Sequence, residues 1–286
     1  MKYIKLLRVK HYVKNLLIFF PLIFGGEIFK GNKLIYSLIG FLIFSLMSSV
    51  VYIINDIQDV EKDRQHEIKK NRPIASGQVS VKQAIFIAGF IWCLCIVANC
   101  IIWKSNLYAL GILLAYFVIN IIYSVAGGKK IPLLDVALLV TGFVLRVYYG
   151  AVISSITVSG WLYLVIIAGA FFMGFGKRRN ELMKNSDSTR EVLKYYNQNF
   201  LDKSMYSCQT LAIVFYALWC LDRNSIGESN FLITVPLLML VLFKYSLDIE
   251  NITDSYGDPV EVILNDKILV ILTLALALVL MILLYK

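Results

Sequence analysis

Long apolar runs alternate with short charged segments along this chain, and that alternation leaves few folds open. The runs lie near 16–29, 34–54, 81–103, 107–124, 133–153, 159–176, 205–221, 231–247 and 268–285. About 20 mostly apolar residues suffice for a helix to cross a bilayer. A bilayer admits only helices and closed barrels, because hydrocarbon offers the backbone no hydrogen-bond partner. The strand alternation of a barrel is missing. The runs therefore predict an all-α polytopic membrane protein with nine transmembrane helices, forming a single integral membrane domain over residues 1–286. The first run is short and holds Pro21, Gly25 and Gly26, so it is expected to be kinked or partly inserted.

Composition agrees. Hydrophobic residues make up 59% of the 286 and charged residues only 16%, with a mean hydropathy of +0.72. A soluble enzyme cannot keep so uncharged a surface in water, and the aliphatic and aromatic content excludes disorder. The net charge of +9 would suit a nucleic-acid-binding domain, but uninterrupted apolar runs do not, and no nucleic-acid partner is expected. The first run follows directly on "KHYVKN", without the small-residue cleavage site of a secretory signal. The five cysteines all fall in apolar runs and read as buried small hydrophobes.

The basic residues set the orientation. Twenty of the 28 Lys and Arg lie on one side of the predicted spans, in the N-terminus and in loops 2–3, 4–5, 6–7 and 8–9. The positive-inside bias places that side in the cytoplasm. A multi-pass protein of the cell membrane is expected, with its N-terminus and active site cytoplasmic.

Loop 2–3 opens "NDIQDVEKDRQHEIKKNRPIASG". On a continuing helix Asp56, Asp59 and Asp63 fall at i, i+3 and i+7, one face beside Asn55. Carboxylates so placed repel one another unless a cation lies among them. Oxygen donors with room left for phosphate and water suit Mg2+. The following stretch is basic, with Arg64, Lys69, Lys70 and Arg72, as a magnesium–diphosphate site requires. Elsewhere, Lys14 and Asn15 stand at the mouth of the first run. Loop 4–5 carries Tyr123, Lys129, Lys130 and Asp135, and Lys177, Arg178 and Arg179 follow the sixth span. Arg146 lies about a dozen residues into the fifth span. An arginine at that depth is costly, so it is expected to point inward, toward a partner such as Asp135 or a bound anion. The acidic segment before the last span, with Asp254, Asp258, Glu261 and Asp266, has irregular spacing and reads as a loop rather than a second metal site.

The Asn55–Asp63 motif at the end of the second span resembles the UbiA prenyltransferase superfamily. "KHYVKNLLIFFPLIFGG", the loop 2–3 segment, "YSVAGGKKIPLLDVALLVTGFVLRVYYGA", "GFGKRRNEL" and, more weakly, "DPVEVILNDK" are similar to its decaprenyl-phosphate phosphoribosyltransferase branch. Val9 departs from the proline usual in that branch after Arg8. Typical superfamily members carry a second Asp-rich motif in loop 6–7, where this chain has Lys177, Arg178 and Arg179; Asp187 and Glu191 are the acidic pair further along. The resemblance implies Mg2+-dependent transfer of 5-phosphoribose from phosphoribosyl diphosphate to a polyprenyl phosphate, releasing diphosphate, for cell-envelope polysaccharide precursors. It assigns Asn55, Asp56, Asp59 and Asp63 to the metal, with Asp56 and Asp63 as the catalytic pair. Lys14, Asn15, Arg64, Lys69, Arg72, Tyr123, Lys130 and Asp135 are assigned to the donor, and Arg146, Lys177 and Arg178 to the lipid phosphate. The lipid phosphate is already anionic, so no general base is required. Two competing readings are prenyl transfer to an aromatic acceptor and membrane transport. Against transport, the acidic stripe lies at a membrane boundary and the spans lack the paired interruptions of an inverted repeat. The oligomeric state stays open, a homo-oligomer among the possibilities.

Overall fold

A computed structural model describes residues 2–67, 69–104, 106–183, 191–225, 230–251, 262–263 and 265–285. Asp187, Asp254, Asp258 and Glu261 lie outside the described residues, as does half of the segment "DPVEVILNDK". Every regular element among the described residues is helical. Eight helices are long and apolar enough to cross a membrane. They are α1 (Lys33–Gln58), α2 (Val81–Ile102), α3 (Leu107–Ser124), α4 (Leu134–Ser154), α5 (Gly160–Met183), α6 (Gln198–Ser225), α7 (Val235–Asn251, which spans together with the preceding 3-10 turn Phe231–Thr234) and α8 (Lys267–Leu284).

The first apolar run takes another form. It folds as a 3-10 helix over Val9–Phe19 that passes into a five-residue α-helix, Phe20–Phe24, with Pro21 near its start. Eleven residues is long for a 3-10 helix, since its hydrogen bonds are poorly aligned. Side-chain spacing explains why it holds here. With three residues per turn, Tyr12, Asn15 and Ile18 fall on one face. Tyr12 hydrogen-bonds Ser49 at 2.8 Å and Asn15 donates to Ser45 at 2.9 Å, both on α1. Ile18 is fully buried. Close approach to α4 depends on Gly150, where a Cβ would lie 2.0 Å from the Ile18 carbonyl oxygen.

The chain divides into two compact units. The first comprises residues 1–128 and 145–157, the second 129–144 and 158–286. In the first, α1 packs against α2, α3 and the 3-10 segment. Its core gathers Phe44, Met47, Tyr116 and Tyr149, with the Phe44 ring 4.5 Å from Tyr116 and 5.3 Å from Tyr149 between centroids. Offset aromatic packing of this kind adds about 0.5–1.5 kcal/mol per pair beyond area burial. Helix α2 starts from a capping box in which Ser80 accepts from the Gln83 amide.

In the second unit α5 and α6 pack along each other, and α7 pairs with α8. Its core includes Phe172, Tyr245, Leu201 and Met205. The outward faces remain apolar: Phe86 and Phe90 on α2, and Leu274 and Leu278 on α8, are well exposed. On a soluble protein such stripes would aggregate; facing lipid tails they cost nothing.

Candidate active site

The aspartate stripe lies in the first unit. Helix α1 ends at Gln58, Asp59 breaks the helical dihedrals (φ −92°, ψ 9°), and a short helix resumes over Val60–Gln65. The hydrogen-bond ladder nevertheless runs through the break, from Asp59 N to Asn55 O at 2.9 Å and from Asp63 N to Asp59 O at 2.8 Å. Asp56 and Asp63 therefore remain on nearly one face, and both are buried.

Two arginines converge on these carboxylates. Arg72 Nη1 lies 3.1 Å from Asp56 and 2.6 Å from Asp63, and Arg8 pairs with the same Oδ1 of Asp56. Arg72 arrives by way of the turn after the basic run. Gly77, at φ +75°, takes the left-handed conformation glycine favours, and Val79 N closes the loop onto Pro73 O at 2.9 Å. Arg8 also adopts a left-handed backbone, φ 51°, and its guanidinium stacks over Tyr52, 5.0 Å from the ring centroid. A non-glycine residue held there costs of order 1 kcal/mol or more, which the buried ion pair opposes.

Arg8, which pairs with Asp56, is not among the residues the sequence singled out. Its one signal was a basic residue next to the Lys14–Asn15 block. Among the described residues no group of three Asp, Glu, His or Cys side chains is gathered closely enough to hold a metal alone. The donor chemistry still fits a hard cation. The side-chain oxygen of Asn55 is buried with no hydrogen-bond partner, beside carboxylates that already draw two cationic side chains. Orphaned buried carbonyl oxygens are rare and call for a partner.

The remaining expected residues separate into exposed and enclosed groups. Arg64 is exposed, bonding Glu61 at 2.8 Å. Lys14, Lys69 and Tyr123 are partly exposed. Asn15 and Arg146 are enclosed. Arg146 Nε donates to Asn15 Oδ1 at 2.7 Å and Nη2 to the Tyr116 hydroxyl at 3.1 Å. Its guanidinium also packs over Tyr116 and Phe44, 4.9 and 5.4 Å from the ring centroids. Asn15, expected at the donor, and Arg146, expected to point inward and meet a partner or a lipid phosphate, thus engage each other inside the first unit. Low dielectric demands that a buried guanidinium be hydrogen-bonded, and the 3-10 segment supplies the acceptor.

The second unit holds its own buried cluster. Arg178 Nε bonds Asp135 Oδ2 at 2.5 Å, and neither side chain has exposed surface. Arg178 Nη1 takes Glu181 at 2.7 Å. Tyr196 donates to Asp135 Oδ1 at 2.7 Å and accepts from Leu133 N at 2.7 Å. Burial, then the bond to Asp135, pushes the Tyr196 phenol up to about 12. Leu133 itself has φ 65°, so the Tyr196 hydroxyl anchors a strained turn that follows Lys129 and Lys130. Asp135, expected at the donor, and Arg178, expected at the lipid phosphate, thus enclose each other in this structure. Arg179 pairs with Asp202 at 2.5 Å. The outward basic groups are Lys130, bonded to Glu191 at 3.0 Å, and Lys177, which is partly exposed.

A model of the UbiA prenyltransferase family matches residues 18–256. The chain is 33% identical over 281 residues to the decaprenyl-phosphate phosphoribosyltransferase of Corynebacterium glutamicum, covering 95% of this chain and 83% of that protein. It is 30% identical to the Mycolicibacterium smegmatis protein of the same name, covering 95% and 89%. In overall fold it is similar to a UbiA homolog from Archaeoglobus fulgidus solved with GPP and Mg2+, with a TM-score of 0.72 at 20% identity, covering 100% of this chain and 98% of that one.

Proposed function

The chain belongs to the UbiA prenyltransferase family, and on that premise we propose that it transfers 5-phosphoribose from phosphoribosyl diphosphate to a polyprenyl phosphate. The observation that carries this reading is the pair of buried carboxylates, Asp56 and Asp63, drawn together by Arg72. Such a cluster is a cation site with a guanidinium fork beside it, suited to a diphosphate leaving group. The named relatives, similar along nearly the whole chain, act as phosphoribosyltransferases. Lys177–Arg179 at the position of the superfamily's second Asp-rich motif favours a phosphate-bearing acceptor over a second metal–diphosphate pair.

In this reading Asn55, Asp56 and Asp63 hold Mg2+, with Asp59 at the helix break as a further oxygen donor. When bound there, Mg2+ would supply positive charge to offset that of the diphosphate. Arg72 is drawn off the carboxylates to fork the diphosphate, and Arg64, Lys69 and Lys14 take other donor oxygens, with Tyr123 at the ribose. Lys130 and Lys177 are assigned to substrate phosphates, while Asn15–Arg146 and Asp135–Arg178 position the elements around them.

A phosphate oxygen of the lipid attacks the anomeric carbon of the ribose. The bond from that carbon to the diphosphate oxygen breaks, and diphosphate leaves with the bonding electrons. The nucleophile is anionic at neutral pH, so no proton need be removed. The transition state is oxocarbenium-like, and stabilising the departing charge is the largest demand. A cavity of about 300 Å³ in the first unit, lined by Val50, Ile54, Ile57, Ala88, Trp92 and Phe117, is assigned to part of the prenyl chain.

We assign this chemistry to the cytoplasmic face of the cell membrane, a reading supported by the bias of Lys and Arg among the loops. The acceptor decides between this reading and prenyl transfer. Purified protein offered both polyprenyl phosphate with phosphoribosyl diphosphate and polyprenyl diphosphate with an aromatic acid should turn over only the first pair. Turnover of only the second would replace this reading.

A further inference from the structure

At the opposite end of α1 from the aspartates, the first unit contains a second cavity, this one partly polar. Asn32 and Asp56 are separated along one continuous helix by about 36 Å, so the two sites face opposite sides of a bilayer. The cavity has a volume of about 430 Å³ and its wall includes Lys33, Tyr36, Trp103, Lys104, Asn106 and Ser155. Ligand pockets generally begin at about 300 Å³, so a headgroup fits.

Three observations define what it would take. First, the cavity is cationic. Lys104 is exposed and makes no ion pair among the described residues, while Lys33 pairs with Glu27 and keeps part of its side chain exposed. Helices α1 and α3 both begin here, at Asn32 and Asn106, adding the positive ends of two helix dipoles. Second, the opposing carbonyls at the end of α4 are already satisfied. Asn106 Nδ2 donates to Val152 O and Trp103 Nε1 to Ile153 O, each at 3.3 Å. Third, that arrangement leaves the Asn106 side-chain oxygen buried with no hydrogen-bond partner, so the pocket needs a hydroxyl-type donor as well as an anion. Tyr36 and Trp103, 6.4 Å apart, are the amphipathic rings found at headgroup depth.

We propose that this cavity binds the headgroup of an anionic phospholipid, its phosphodiester at Lys104 and Lys33 and a headgroup hydroxyl donating to Asn106 Oδ1. The shared chemistry is a phosphate with an adjacent hydroxyl, and phosphatidylglycerol has both. Phosphatidylcholine brings a trimethylammonium group toward the lysines and has no hydroxyl to donate.

The test is native mass spectrometry of the full-length protein in detergent, titrated with phosphatidylglycerol or phosphatidylcholine, with inorganic phosphate as competitor. Phosphatidylglycerol should give a saturable adduct that phosphatidylcholine does not. Lys104→Glu should bind it about ten- to a hundredfold more weakly, and Lys104→Arg should retain it. Ribosyl transfer should be unchanged in both variants, showing them folded. Equal adducts from the two lipids, or a phosphatidylglycerol adduct indifferent to Lys104→Glu, would overturn the proposal. Displacement by millimolar inorganic phosphate would also overturn it, marking a free-phosphate site instead.

Discussion

The guanidinium of Arg72 lies 2.6 Å from the carboxylate of Asp63, nine residues earlier in the chain. The turn through Pro73 and Gly77 makes this contact, and the same nitrogen reaches Asp56 at 3.1 Å. A cation thus lies where the proposed chemistry needs one, held by carboxylates that substrate and metal would engage in its place.

Separate variants should therefore fail in separable ways. Asp56→Asn and Asp63→Asn should each lower the rate of ribosyl transfer by about 10²–10³, with activity regained in part at higher Mg2+. Arg72→Ala should lose a similar factor without rescue by Mg2+. Steady-state kinetics across a magnesium titration checks this. Identical magnesium dependence in all three variants would contradict the division of roles.

The enclosed pair Asp135 and Arg178 predicts a stability effect with a recognisable signature. Asp135→Leu leaves a guanidinium buried beside an apolar group and should destabilise by about 3–5 kcal/mol. Asp135→Leu with Arg178→Met removes both charges and should recover much of that loss. Thermal unfolding in detergent of the two single variants and the double completes the cycle. Additive losses would show that the two residues do not act as a pair.

Gly150 tests the seat of the 3-10 segment. A methyl group there would meet the Ile18 carbonyl, a backbone atom that cannot rotate away. Gly150→Ala should push the segment off α4, weaken the Asn15–Arg146 bond, and lower the unfolding temperature. At about 2–4 °C per kcal/mol for a chain of this size, a loss of several degrees is expected. An unchanged midpoint would rule out the close approach.

A pH effect follows from Lys244 and Asp266, which bond at 2.8 Å. That hydrogen bond, the largest cause, holds the Asp266 carboxyl below the usual carboxylate range. A group with a depressed folded pKa stabilises the fold above its unfolded value, about 4. The contribution is lost as pH falls through the folded value. Asp266→Asn keeps an oxygen for the Leu269 amide, which Asp266 now caps at 2.7 Å, but not the charge. Between pH 6 and pH 3 the unsubstituted protein should lose more thermal stability than Asp266→Asn. Parallel pH curves would dismiss the coupling.

The spans and the aspartate stripe were legible because each rests on one periodicity within one segment. Apolar runs of helix length mark α1 to α8, and Asp56 and Asp63 stay on nearly one face across the break at Asp59. The first run, expected from Pro21, Gly25 and Gly26 to be kinked or partly inserted, folds as a 3-10 helix followed by a short α-helix; the three-residue spacing of Tyr12, Asn15 and Ile18 was the available signal for the 3-10 form. Partnership was the harder property. Asn15, Arg146, Asp135 and Arg178 stood out in the sequence as candidate substrate-binding residues, Arg146 also as a residue in need of an inward partner. Their partners lie 131 and 43 residues away along the chain, and no local pattern encodes such pairing. Arg8 went unassigned for the same reason, 48 residues from Asp56.

The most direct test follows two atoms of one donor. Phosphoribosyl diphosphate labelled in the ribose and, separately, in its β-phosphate would be incubated with the purified protein, polyprenyl phosphate and Mg2+. The account predicts that ribose label enters the lipid phase in equal amount to β-label released as diphosphate, with both stopped by chelation of the metal. Ribose label remaining wholly aqueous in the presence of Mg2+ and lipid phosphate would contradict it.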